Sequence, residues 1–288
     1  MQIRFGYELV FNCRDPTPMI LMLHAHPSVI HDLIRPDDMR VEPHVPMRIY
    51  HDGFGNTCTR IDAPAGGIKI TSDGLINDSG TPEPANPFAR EHPLELLPED
   101  TLAYLLDSRY CGTEALMADA RRLFGQVRPG WSRVQAICDF VHEHVMLSRH
   151  FARPPRTAWQ VYTEQQGDCR DFAHLAIALC RCLSIPARYC TGYLGDIGVP
   201  RADFPMEFAG WFEAYLGGEW HTFDPGNKQR RIGRILIARG RDAADVASST
   251  SFGPSYLETC RVWTDEVVEN RQPELNAGAC LARYDHAT

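Results

Sequence analysis

The chain lacks any long apolar run. A helix needs about 20 apolar residues to cross a lipid bilayer, and no stretch of the 288 residues approaches that length. The first residues, Met1-Gln2-Ile3-Arg4-Phe5, also lack the basic segment and apolar core of a signal peptide. We therefore expect no membrane partner and a cytoplasmic location.

Positive charge is also scarce. Lys and Arg number 29 against 37 Asp and Glu, which gives a net charge of -8. Proteins that bind a phosphate backbone need a basic patch, because they displace its counterions. The one basic stretch, Lys228 to Arg241, is interrupted by isoleucines and a leucine and is typical of a strand or loop edge. Nucleic acid is therefore not expected as a partner.

Metal-binding patterns are missing as well. The chain has ten cysteines but no C-x-x-C pair and no Cys/His cluster with the spacing of a metal site. His24 and His26 alternate on a β-type run, and without a third ligand they read as edge or surface histidines. We predict reduced thiols, no metal and no cofactor.

The sequence falls into a β-rich part and a mixed part, which predicts an α+β fold. Residues 1-95 hold short β-type runs separated by turns and predict an antiparallel β-sandwich-like domain. A proline-rich connector, Gly80–Pro87, follows these runs and cannot form helix or central strand. Residues 96-275 run from helices into an antiparallel sheet and predict a second domain. Residues 276-288 predict a loosely held tail.

Cys169 lies at the predicted start of an amphipathic helix. Apolar residues recur after it at helical spacing, and Gly167 and Asp168 are plausible start signals. Unpaired N–H groups and the positive end of the helix dipole would favour the thiolate there, and a thiolate is a nucleophile. Simple packing of the thiol is the alternative, and this stretch alone does not separate the two.

Several motifs occur in order around Cys169, and together they resemble the core of the transglutaminase-like superfamily. They are Thr157-Ala158-Trp159, Gly167–His174, Cys182–Tyr189, Thr191–Leu194, Trp211–Tyr215, Trp220–Pro225 and Arg234–Val246. The β-rich first part resembles the N-terminal region of the bacterial branch. The resemblance implies a papain-like layout, with the nucleophile on a helix and the base on a sheet.

By that resemblance, Cys169 attacks an amide or ester carbonyl and Asp224 orients a catalytic histidine. The backbone N–H of Cys169 is then a natural donor to the oxyanion. The histidine itself is missing, because Ala209 occupies the position where the superfamily carries it. A self-consistent alignment sets Ala209 opposite Asp224 across a hairpin centred between Leu216 and Gly217.

No other histidine is an obvious substitute for the base. His221 is three residues before Asp224 and should point to the opposite face of the strand. His174 lies five residues after Cys169 on the helix and projects away from it, as a core or groove histidine would. His142, His144 and His150 are upstream, and nothing in the sequence brings them to the thiol.

The resemblance implies a cysteine enzyme acting on a peptide or other amide substrate, with hydrolysis favoured over acyl transfer. Trp159, Tyr193 and Trp211 are candidates for the walls of the substrate groove, although each can equally be a packing residue. Ala209 is either an engineered loss, a natural variant that leaves slow catalysis, or the mark of a peptide-binding pseudoenzyme. A structural adaptor that acts through its N-terminal domain is a further alternative.

Overall fold

The computed structural model describes residues 1–148, 155–227 and 229–267. The first part of the chain is built almost entirely of strands, as its alternating pattern predicts. Their bounds are β1 (Gln2–Cys13), β2 (Thr17–Leu21), β3 (Leu33–Arg35), β4 (Arg40–Glu42), β5 (Arg48–His51), β6 (Thr57–Ala63) and β7 (Gly66–Asn77). A 3-10 helix, Pro27–Asp32, lies between β2 and β3.

Two late strands complete the two N-terminal sheets. These are β14 (Ser249–Ser251) and β15 (Ser255–Glu266). One antiparallel sheet has the order β15-β1-β7-β3, with β4 also paired to β7, and the other has the order β14-β2-β6-β5. The predicted domain division at residue 95 did not include these late strands in the N-terminal sheets, because a strand's sequence pattern does not specify its partner.

The middle of the chain supplies the helices. They follow the connector and three short 3-10 helices, Leu94–Leu96, Glu99–Leu105 and Glu114–Leu116. The α-helices are α1 (Met117–Phe124), α2 (Trp131–His144), α3 (Ala158–Glu164) and α4 (Cys169–Cys182). Two short parallel strands, β8 (Met146–Leu147) and β9 (Gln166–Gly167), hold the segment after α2 beside the residue that precedes α4.

A third antiparallel sheet, called the α4 sheet below, packs against α4. It has the order β12-β11-β10-β13, with β10 (Ala187–Leu194), β11 (Ala209–Leu216), β12 (Glu219–Phe223) and β13 (Arg234–Gly240). Gly217 and Gly218 connect β11 to β12 with φ of 64° and 91°, the left-handed backbone that a two-residue hairpin favours. The predicted α+β fold, with helices packed on an antiparallel sheet, is confirmed.

The β-rich part and the helical part share one hydrophobic core. Phe5 of β1, for example, meets Tyr193 of β10 edge to face, with ring centroids 5.0 Å apart. In the described residues no helix is both long and apolar enough to cross a membrane. The cytoplasmic location stays a prediction.

Gly6 allows three strands to pack closely, and it provides a test of this arrangement. A Cβ at Gly6 would lie 2.3 Å from the Ser72 carbonyl oxygen and 2.5 Å from the Trp263 ring. We expect Gly6→Ala to lower the free energy of unfolding by about 1–3 kcal/mol, because β15 must move away. Urea unfolding measures this change.

Gly67 on β7 is the matched control, since a Cβ there would have no atom within 4 Å. Gly67→Ala should leave stability unchanged or slightly raised. Equal unfolding midpoints for the two variants would contradict the packing of β15 on β1.

Candidate active site

Cys169 is the first residue of α4, and reciprocal hydrogen bonds hold that helix end. The Asp168 carboxylate accepts from the N–H groups of Arg170 (2.9 Å) and Asp171 (3.2 Å), while Asp171 accepts from the Asp168 N–H (3.1 Å). This is a capping box with aspartates at both ends. Among the described residues, none accepts a hydrogen bond from the Cys169 N–H. That group is therefore free to bind a ligand oxygen.

Strand β11 approaches the thiol closely at Gly210, the residue after Ala209. A Cβ on Gly210 would lie 2.3 Å from the Tyr189 hydroxyl and 3.3 Å from Cγ of Arg170. The glycine lets the strand lie against the helix start, where the Gly210 backbone lowers the pKa of the Cys169 thiol. The helix start and the beginning of β11 thus meet beside Cys169.

The environment of the thiol opposes ionisation. Burial raises the pKa of Cys169 to about 11, and the nearby carboxylates of Asp168 and Asp224 act in the same direction. The Gly210 N–H and the Arg170 guanidinium lower the pKa, but they do not compensate. The expectation of a thiolate at this helix start is therefore wrong, because the dipole argument leaves out burial and the capping carboxylate.

Cys169 and Ala209 line one cavity of about 170 Å³. Much of its wall is apolar and comes from the loop between β10 and β11, with further contributions from the ends of β8 and β10. The lining residues are Leu147, Asp168, Cys169, Leu194, Asp196, Ala202, Phe204, Pro205, Met206, Glu207, Phe208, Ala209, Asn227 and Arg231. A small cavity with an apolar wall and several polar groups beside a thiol suits an acyl group and its carbonyl oxygen.

The hairpin register differs from the predicted one by two residues. Leu216 pairs with Glu219 and Phe212 pairs with Phe223, and continuing this register sets Asp224 opposite Trp211 rather than Ala209. The predicted alignment assumed a turn centre between Leu216 and Gly217, whereas the turn lies at the two glycines. The strand face is unchanged, because the shift is even.

Asp224 is surrounded by hydrogen-bond donors. One carboxylate oxygen accepts from the side-chain N–H of Asn227 (2.9 Å) and from Nη2 of Arg234 (3.0 Å). The other accepts from the backbone N–H groups of Gly226 (3.0 Å) and Asn227 (3.2 Å). Within the described ranges, no histidine is among its partners. The position that would orient an imidazole orients an amide instead.

The described histidines that were considered as possible bases have hydrogen-bond partners other than Cys169 and Asp224. His174 is fully buried and neutral, since burial lowers its pKa to about 4. Its Nδ1 lies 3.2 Å from the Arg156 carbonyl oxygen, and its Nε2 accepts from the Ala243 N–H. Backbone carbonyls lie within hydrogen-bond distance of His221 (Leu216), His142 (Pro225) and His144 (Tyr162). His150 lies outside the described residues.

The three candidate groove residues do not line the Cys169 cavity. Trp159 is 44% exposed on α3 and contacts Tyr162. Tyr193 is fully buried between Phe5 and Phe208. Trp211 is buried beneath the Arg234 guanidinium, whose carbon lies 4.5 Å from its ring centroid.

The N-terminal histidine pair also has other partners. His24 hydrogen-bonds Thr59 and His26 hydrogen-bonds Ser28. The described residues contain no group of three or more side chains arranged to hold a metal ion.

Sequence reasoning missed Asn227 and Gly210. The only signal for Asn227 is its place three residues after Asp224, where an amide can reach back to the carboxylate. Gly210 stands where a strand would ordinarily carry a larger residue, and a glycine in a strand often marks a close approach.

The raised pKa of Cys169 predicts how alkylation of the thiol depends on pH. Because only the thiolate reacts, modification of Cys169 by iodoacetamide should still be rising above pH 9 in the folded protein. Site-resolved peptide mapping separates Cys169 from the other thiols. The same residue in urea-unfolded protein, with an ordinary pKa of about 8.5, is the reference. A folded midpoint at or below that reference would contradict the prediction.

The charge of Asp168 should be one cause of the raised pKa of Cys169. Asp168→Asn keeps a side chain that can cap the helix but removes the charge that raises the pKa of Cys169. We expect alkylation of Cys169 at pH 8 to rise several-fold, since each unit of pKa changes the thiolate fraction about tenfold. Asp196→Asn, a change on the same cavity, is the control and should not alter the rate. Equal rates in all three proteins would argue against the role of Asp168.

Comparison with known proteins identifies the family that this part of the chain resembles. A profile of the transglutaminase-like superfamily matches residues 119–225. A solved structure from Cytophaga hutchinsonii, described as a "putative cysteine protease", is 29% identical, has a TM-score of 0.79, and is matched over 95% of this chain and 93% of that one.

Two mycobacterial relatives extend the comparison. An uncharacterized protein of Mycobacterium bovis is 28% identical over 214 residues, which is 68% of each chain. An uncharacterized protein of Mycobacterium leprae is 38% identical over 86 residues, and the match covers only 30% of its length. The resemblance inferred from the ordered motifs is confirmed over residues 119–225, which match the transglutaminase-like superfamily.

Proposed function

We propose that this chain binds the carbonyl group of a peptide or other amide at Cys169, and that its thiol attacks that group only slowly. One observation carries the proposal. Cys169 and Ala209 line the same cavity, while Asp224 is bound to Asn227 and Arg234. The described residues supply a candidate nucleophile and a candidate orienting carboxylate, and no described histidine is a partner of either.

The chemistry that this arrangement supports is acyl transfer to sulfur. The thiol loses its proton, a bond forms between sulfur and the carbonyl carbon, and the oxygen becomes an oxyanion. Collapse of this intermediate breaks the C–N bond, and the amine leaves with a proton. Water then hydrolyses the thioester, or a second amine takes the acyl group. We propose hydrolysis, because water needs no acceptor pocket.

The missing base limits this chemistry at its first step. A general base contributes about 10²–10⁴-fold to a rate, and burial further disfavours the thiolate of Cys169. These two facts favour a second candidate function, in which the cavity binds a peptide without cleaving it. The two candidates differ only in whether an acyl group ever resides on Cys169.

Restoring an imidazole at residue 209 tests the proposal. We expect Ala209→His to accelerate acylation of Cys169 by p-nitrophenyl acetate about 10²-fold or more, because the new side chain would enter the cavity that Cys169 lines. Release of nitrophenol gives the rate, and peptide mapping locates the acetyl group. The unmodified chain should be acylated slowly at the same cysteine.

Two matched variants serve as controls. Ala209→Gln adds a side chain of comparable size that does not take up a proton near neutral pH, so it should not accelerate the reaction. Ala209→His combined with Cys169→Ala should abolish the acetylated peptide. If Ala209→His is no faster than Ala209→Gln, the assignment of residue 209 to the base position fails. If the unmodified chain binds peptides but is never acylated, the binding-only function is correct.

A further inference from the structure

We propose that Asn227 donates a hydrogen bond to the carbonyl oxygen of the group bound at Cys169, and that Arg231 fixes the amide of Asn227 for this purpose. The inference deepens the proposed function and rests on it. It assigns a donor role to the residue whose side-chain amide is bound to Asp224.

Asn227 is held from both sides. Its Nδ2 donates to the Asp224 carboxylate at 2.9 Å, and its Oδ1 accepts from Nη1 of Arg231 at 2.9 Å. It also lines the cavity that contains Cys169 and Ala209. The residue therefore belongs to the same site as the thiol and the orienting aspartate.

The chemistry of these neighbours fixes which way the amide faces. A guanidinium only donates hydrogen bonds, and a carboxylate only accepts them. The oxygen of Asn227 must then face Arg231, and its nitrogen must face Asp224. If the amide were rotated by half a turn, its nitrogen would face the Arg231 donor and its oxygen would face the Asp224 acceptor, and both hydrogen bonds would be lost.

In this orientation, one N–H of the Asn227 side chain has no acceptor among the described residues. An amide nitrogen carries two hydrogens, and Asp224 accepts from this nitrogen along one direction. Among the described residues, no other side chain or backbone group accepts from it. Asn227 and Cys169 line the same cavity, which is the basis for assigning this spare N–H and the free N–H of Cys169 to one ligand oxygen.

Arg231 is itself anchored so that it can hold the amide. Its side chain is 9% exposed, and its Nη2 donates to the Gly195 carbonyl at 2.8 Å and approaches Asp196 at 3.4 Å. These contacts tie the segment after Asp224 to the loop that forms the cavity wall.

The side-chain amide of Asn227 cannot remove the proton of the Cys169 thiol. Its role in this proposal is therefore to hold an oxygen rather than to take a proton.

A pair of probes separates the oxygen contact from general binding. N-acetyl-leucinal and N-acetyl-leucinol share an apolar side chain that suits the wall formed by Leu147, Leu194 and Phe204. The thiol adds to the aldehyde, so that a C–S bond forms and the carbonyl becomes a hydroxyl that takes the thiol proton. The alcohol forms no such bond. The ratio of the two dissociation constants reports the adduct, because the contacts that the two probes share cancel in it.

We expect Asn227→Ala to weaken binding of the aldehyde about tenfold relative to the alcohol, which corresponds to the loss of one hydrogen bond. Arg231→Gln should lower the ratio by a smaller factor, because the amide is then free to turn. Calorimetry gives both constants. An unchanged ratio in Asn227→Ala, with the unmodified chain still favouring the aldehyde, would overturn this inference alone. If the unmodified chain binds the aldehyde no better than Cys169→Ala does, the proposed function and this inference both fail.

Discussion

The site depends on the carboxylate of Asp168. It caps α4 through two backbone N–H groups, and this cap fixes where the helix begins and hence where Cys169 stands. The same negative charge lies close enough to raise the pKa of the thiol. A helix start supplies partial positive charge that favours a thiolate, but an acidic cap offsets that charge at the same place. One group thus positions the Cys169 thiol and also raises its pKa.

Asp224 shows what the protein does with an orienting carboxylate when no imidazole is present. Its oxygens take hydrogen bonds from Arg234, Asn227 and Gly226, so its charge is compensated without a histidine. Arg234 is in turn bonded to Glu83 of the proline-rich connector and stacks on Trp211. The connector is therefore linked to Asp224 through the Arg234 guanidinium. This network would hold the carboxylate in place whether or not chemistry occurs.

Much of the architecture could be predicted from the sequence, because apolar periodicity and turn residues are local signals. Such patterns predict the helix from Cys169, the strands of the α4 sheet and the two-glycine turn. The pairing of β15 with β1 could not be, since it joins residues at opposite ends of the chain. The hairpin register was wrong by two residues, because a motif alignment does not fix the centre of a turn. The thiol pKa was wrong in direction, because burial and neighbouring charges appear only in three dimensions.

The return of the chain to the N-terminal sheets through β14 and β15 also makes the site depend structurally on the N-terminal part. After β13, the chain leaves the α4 sheet, pairs β14 with β2 in one N-terminal sheet and then pairs β15 with β1 in the other. Gly195, just after β10, lies so close to β15 that a Cβ there would be 2.5 Å from the Thr264 carbonyl oxygen. The same Gly195 accepts from Arg231, which holds Asn227. Because the cavity wall rests on β15, loss of the N-terminal sheet would loosen the amide beside Asp224 before it disturbed the helix that carries Cys169.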